Sequence, residues 1–127
     1  EFVFGQASLR DRVGIWSLYR FGDPAASADA FRLALLRTWK VAVHETGHMF
    51  SMKHCTAYRC AMAGSNHLEE TDGSPLWLCP ECMAKLAWAT RVDPRDHFTR
   101  VAELCETADL DPQASFFRIS TATLEER

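Results

Sequence analysis

Apolar and aromatic residues gather first in two short runs, residues 2–7 (FVFGQA) and 14–21 (GIWSLYRF). Both are rich in aromatic and β-branched side chains, the composition of half-buried strands. Leu9-Arg10-Asp11-Arg12 separates them, so the pair is predicted as a β-hairpin. Phe21-Gly22-Asp23-Pro24 stops the second run, and small residues from Ala25 to Ala30 form a connection. A helical period follows, from about Ser27–Asp29 to about Phe50. Roughly 20 residues make a helix about 30 Å long. At about 100° per residue, Phe31, Leu35, Leu36, Trp39, Ala42, Val43 and Phe50 share one side, read as the core face. Arg37, Lys40, His44 and His48 share another, read as a cleft face.

Residues 51–78 show neither period. A loop of this length without regular structure is uncommon unless something holds it. From Cys79 the pattern is helical again to about Thr90, with Cys79 suited to the N-cap, Pro80 to the first helical position and Glu81 to the first turn. A last helix is predicted from Pro94 to about Thr107, and the tail from Asp111 is left without an assigned element.

The chain has 127 residues, which predicts one domain, residues 1–127. The 47% hydrophobic and 24% charged content suits a globular chain with a real core. The net charge of −3 points away from nucleic acid and from an anionic membrane surface as the main partner. No apolar run approaches the roughly 18 residues of a membrane span, and no signal-peptide pattern is visible. Glu1 opens directly into strand-like sequence. The expectation is therefore the C-terminal portion of a longer chain, with an upstream targeting segment left open.

The chemistry sits at the end of the long helix. His44-Glu45-Thr46-Gly47-His48 is an H-E-x-x-H pattern, with His54 six residues after the second His. Histidines at i and i+4 stand one turn apart on one face, where both can bind one Zn²⁺. His54 is out of reach of a straight helix, so the helix must stop near Phe50 and the chain must turn back. Three protein ligands leave the open position that a catalytic zinc needs. Glu45 lies beside the metal, placed to take a proton from the water that zinc activates and deliver it to a leaving amine.

Cys55, Cys60, Cys79 and Cys82 have metal-type spacing, C-x4-C and C-x2-C. They predict a second, closed Cys₄ zinc site that pins the loop to the start of the next helix. A thioredoxin-like redox pair at Cys79 and Cys82, or reduced core cysteines, are the other readings, and the redox reading leaves Cys55 and Cys60 unexplained. In an extended backbone His54 and Cys55 face opposite sides, so each serves a different site. Metal-type cysteines fit a reducing compartment, and a cytoplasmic location is expected on that ground.

Over residues 44–82 the chain resembles the archaemetzincins, a branch of the metzincin clan of zinc metallopeptidases. The family pattern is H-E-x-x-H-x-x-G-x-x-H-C-x4-C-x-M, then C-x2-C. Here it reads His44-Glu45-x-x-His48-x-x-Ser51-x-x-His54-Cys55-x4-Cys60-x-Met62, then 16 residues, then Cys79-x2-Cys82. The resemblance implies an α+β, metzincin-like zincin fold: the active-site helix packs on a small mixed sheet, followed by a zinc-stapled loop and C-terminal helices. It implies that Met62 is the Met-turn methionine beneath the catalytic zinc. It also implies a sheet edge above the cleft along which an extended peptide binds. Ser51 departs from the family's Gly at a position expected to need φ > 0, at a cost of about 1 kcal/mol. The family's N-terminal half has no counterpart in this sequence.

The function expected is a metallopeptidase, protease or aminopeptidase, with two zinc ions and a peptide or protein substrate. The alternative is a weak or inactive zinc-containing module of the same fold that binds peptide. A purely structural zinc protein with only the Cys₄ site filled is a further alternative. A monomer is favoured. His67 and His97 are read as surface or capping residues and Cys105 as a buried small hydrophobe. Trp16, Trp39, Trp77 and Trp88 are read as core rather than substrate-stacking, and Glu69-Glu70-x-Asp72 as a solvated loop, with contact to a substrate amine as its alternative.

Overall fold

The structure is a computed structural model that describes residues 4–126. Phe2 and Val3, expected to open the first strand, lie outside the described residues. Strands β1 (Gly5–Ala7) and β2 (Gly14–Trp16) pair antiparallel, with Gly5 opposite Trp16, Gln6 opposite Ile15 and Ala7 opposite Gly14. The expected hairpin is there, but the sheet among the described residues is antiparallel rather than mixed. Both strands are shorter than the apolar runs suggest. The second run leaves the ladder after Ser17, whose N–H still donates to Phe4 O, and turns at Leu18–Phe21. Phe21 then folds inward to 1% exposure against Phe4, with ring centroids 5.8 Å apart.

Helix α1 (Ala28–Met49) carries the long helical period. Ser27 caps it, its Oγ accepting from Ala30 N at 3.0 Å. It ends in a Schellman arrangement: Ser51 N–H donates to His48 O and Met52 N–H to Gly47 O, with Ser51 in the left-handed position at φ 66°. The single core face expected of α1 is corrected. The helix is covered from two directions, so its buried positions do not form one stripe. Ala34 and Val41 pack under the hairpin with Phe4 and Phe21, while Leu36, Trp39 and Val43 rest half-buried on the C-terminal layer. Phe31 lies beyond both and is exposed.

The stretch after α1 contains one short helix, α2 (Leu68–Gly73), capped by His67, whose Nδ1 accepts from Glu70 N. Its six polar-rich residues are too few to show a period. Helix α3 (Pro80–Thr90) starts at the expected cysteine cap, where Cys79 Sγ accepts from Cys82 N at 3.4 Å. Helix α4 (Pro94–Thr107) is followed by α5 (Asp111–Glu125), which replaces the unassigned tail. The two pack as a pair around Ala102, Cys105, Leu110, Ala114 and Phe117, and Leu76 joins them from the loop. Cys105 is fully buried there, as a small hydrophobe should be. Trp77 stacks on Phe116 with centroids 3.8 Å apart. Trp88 is 74% exposed beside Arg91, which corrects its reading as core. His97 is half-buried next to Phe98 rather than on the surface. No helix among the described residues is long and apolar enough to cross a membrane.

Candidate metal centre

His44 and His48 project from the last two turns of α1, and the turn at Ser51 brings His54 back to them. Each helical histidine is oriented by a backbone carbonyl. His44 Nδ1 lies 2.8 Å from Ala61 O, and His48 Nδ1 lies 2.7 Å from Met52 O. A carbonyl oxygen only accepts, so Nδ1 carries the proton and Nε2 presents a lone pair. Those Nε2 atoms converge: His44 to His48 at 3.0 Å, and His44 to His54 at 3.2 Å. Lone pairs held this close repel unless a cation lies between them. Zinc–nitrogen bonds of about 2.0–2.1 Å in a tetrahedral set require nitrogen separations of about 3.3 Å, so the donor set fits the ion. Burial is the largest cause holding the His44 and His54 pKa values below the ordinary imidazole value, a direction that favours the neutral, ligating form.

Two glycines let the backbone close on this cluster. A Cβ at Gly47 would lie 2.2 Å from Met62 Sδ, so the fully buried Met62 sits directly against the helix between the two histidines. A Cβ at Gly64 would lie 2.9 Å from His54 Nδ1, so that glycine backs the third ring. Neither the two glycines nor the carbonyls of Ala61 and Met52 belong to the ligand pattern that the spacing reveals. Gly47, inside a helix, was the available signal, because a helical glycine costs stability unless something needs the space.

Glu45 is buried, 6% exposed, under the first strand. A Cβ at Gly5 would come within 2.8 Å of Glu45 Cγ and Oε1, so β1 lies on the carboxyl side chain. Burial raises its pKa, and the nearby His48 opposes the rise. The three histidines and Glu45 open on a cavity of about 560 Å³ whose walls include Gly5, Gln6 and Ala7 of β1, Lys40 of α1, and Asn66 and Pro75 of the loop.

Lys40 and Arg37, expected on the cleft face, both tie α1 to α2. Lys40 Nζ donates to Asp72 O at 2.9 Å and Thr71 O at 3.2 Å. Arg37 Nε and Nη2 donate to the two Asp72 carboxylate oxygens at 2.8 and 2.6 Å, and Nη1 donates to Phe21 O. Asp72 is thus a bidentate partner rather than a solvated loop charge.

The four expected cysteines meet in a second cluster, with all Sγ atoms within 4.8 Å of one another. Cys55 Sγ lies 3.9 Å from Cys79 Sγ. Zinc–sulfur bonds of about 2.3 Å in a tetrahedral set require sulfur separations of about 3.8 Å, so this set fits as well. Backbone N–H groups of Met62 and Cys79 point at Cys60 Sγ, at 3.4 and 3.2 Å. Cys55 has its pKa lowered to about 7, mainly by a backbone hydrogen bond at Tyr58, whereas burial raises that of Cys82. A two-cysteine redox pair does not describe a cluster of four sulfurs. Cys105 lies apart, in the α4–α5 core.

A family model described as peptidase family M54 matches residues 1–88. The chain belongs to that family, the archaemetzincins. Archaemetzincin-2 of Macaca fascicularis is 41% identical over 115 aligned positions, covering 70% of this chain and 32% of that protein. The crystal structure of an archaemetzincin from Methanopyrus kandleri superposes with a TM-score of 0.62 at 34% identity, covering 72% of this chain and 48% of that one. One from Archaeoglobus fulgidus, complexed with malonate, gives 0.55 at 36% identity, covering 66% and 49%. The chain thus spans between a third and a half of the length of these relatives. Its family is one of zinc metallopeptidases, and this chain holds a His₃ and a Cys₄ set that could bind zinc.

Proposed function

We propose that the chain is the metal-carrying part of a zinc metallopeptidase, hydrolysing peptide bonds in peptide or protein substrates. The convergence of three Nε2 atoms beside a buried carboxyl, that of His44 lying 3.0 Å from His48 and 3.2 Å from His54, is the observation that carries this reading. His44, His48 and His54 hold the catalytic zinc, and Cys55, Cys60, Cys79 and Cys82 hold a structural one. Zinc, when bound, polarises a carbonyl and acidifies water. Glu45 takes a proton from the attacking water and returns it to the leaving amine. Met62 forms the floor of the site. An extended peptide lies in the cavity along β1, adding to the sheet edge by main-chain hydrogen bonds. Four metal-type cysteines favour a reducing, cytoplasmic setting.

Ser51 and the partial span of the relatives favour a second reading, a peptide-binding module with zinc but little hydrolysis. Elemental mass spectrometry on protein purified without added metal tests metal loading, with two zinc per chain expected. Hydrolysis of a peptide library that is lost in Glu45→Gln, with zinc retained, supports the peptidase. No hydrolysis by the unaltered, zinc-loaded protein sinks it and leaves the binding module.

A further inference from the structure

The histidine cavity holds a second charged group that general-base hydrolysis does not use. Lys40 lies one turn before His44 on the same face of α1 and lines the same cavity. It is only 8% exposed. Its two hydrogen bonds go to neutral backbone carbonyls, those of Thr71 and Asp72. An ammonium has three N–H donors, so one has no partner among the described residues. No carboxylate among the described residues lies within ion-pair distance of Lys40. The Asp72 carboxylate attracts it from further away, but both its oxygens are occupied by Arg37. Burial lowers the Lys40 pKa, and the attraction of Asp72 offsets only part of that. A desolvated cation of this kind is stabilised by a counter-charge, which carbonyl dipoles replace only in part.

We propose that Lys40 is a specificity-determining residue that binds a carboxylate of the peptide in the cavity. The proposal rests on the peptidase reading only in taking the ligand to be a peptide. Lys40 and His44 are four positions apart on the helix, about 6 Å along the axis. An extended peptide covers that distance in about two residues. The carboxylate therefore lies within about two residues of the bond presented to the histidines, on an acidic side chain or on a free C-terminus. A lysine that merely tethers α2 to α1 would affect stability without affecting discrimination.

The test uses zinc-loaded protein carrying Glu45→Gln, so that peptides bind without turnover. The probes are acetylated tetra-alanine amides with Glu or Gln placed at each position in turn, and acetylated tetra-alanine with a free or amidated end. Calorimetry measures each affinity. At one position, or at the free end, the carboxylate form should bind about tenfold tighter or more, the range of a charge-assisted hydrogen bond. Adding Lys40→Met should bring that ratio below about twofold while the uncharged peptides keep their affinity, and Lys40→Arg should restore much of it. A Glu-to-Gln preference identifies an acidic side chain as the ligand, and an acid-to-amide preference identifies the chain end. The proposal is overturned if neither ratio exceeds about twofold, if the preference survives Lys40→Met, or if no peptide binds. Discrimination without hydrolysis by the Glu45 protein sinks the peptidase reading alone.

Discussion

Ser51 stands where the family pattern has glycine, and the structure gives it two opposed effects. It holds φ at 66°, the left-handed conformation that closes α1. For a residue with a Cβ this costs about 1 kcal/mol or somewhat more. Its Oγ also donates to Leu9 O at 2.7 Å, tying the helix end to the hairpin loop. An exposed neutral hydrogen bond contributes about 0.5–1.5 kcal/mol. The two effects nearly cancel, so Ser51→Gly should leave stability within about 0.5 kcal/mol of the original. Ser51→Ala keeps the strained conformation and loses the bond, so it should cost about 1 kcal/mol, a fall in Tm of roughly 4 °C. Urea unfolding followed by tryptophan fluorescence measures both at fixed zinc concentration. Hydrogen exchange supplies the second readout: Ser8 N–H, bonded to Val13 O across the same loop, should exchange faster in both variants. If Ser51→Ala matches the original while Ser51→Gly gains about 1 kcal/mol or more, the Leu9 bond contributes nothing and the reasoning fails.

Two more outcomes are expected. Cys60→Ser should remove one zinc per chain by elemental mass spectrometry and weaken the remaining site, because Cys60 precedes the Ala61 carbonyl that orients His44; chelator competition should show a loss of about tenfold or more. His97 has its pKa lowered by burial, so the unfolded chain takes up the proton first; stability should be unaffected above the ordinary imidazole range and fall as pH drops through it, and His97→Gln should flatten that part of a pH–Tm profile.

Much of the site was legible because metal ligation fixes residue type and spacing together. His44, His48 and His54, and the four cysteines, were recognisable as two sets before any coordinate. The turn at Ser51 followed from the need to bring His54 back. What was not legible depends on neighbours distant in sequence. The faces of α1 could not be assigned from period alone, because the hairpin covers Ala34 and Val41 while the C-terminal layer covers Trp39 and Val43. Helix α2 is not legible because six residues show no apolar stripe and its ties run to Lys40 and Arg37 of α1, some 30 positions away. Trp88 looked like core because aromatic residues usually are, but α3 turns it outward.

The two metal sets are not independent parts of the chain. His54 belongs to one and Cys55 to the other. Cys55 N–H donates to Met62 O at 2.8 Å, which closes residues 55–62 into a loop. Within that loop Cys60 serves the sulfur cluster, Ala61 O orients His44, and Met62 packs under Gly47. The same loop is held from the far side by Ala61 N–H donating to Trp77 O, and Trp77 stacks on Phe116 of α5. A Cys₄ ion would therefore act on the His₃ set through position. It would fix residues 55–62, and these fix the tautomer of His44 and the floor beneath it. That arrangement gives a cluster with no open position a reason to lie one residue from the His₃ set.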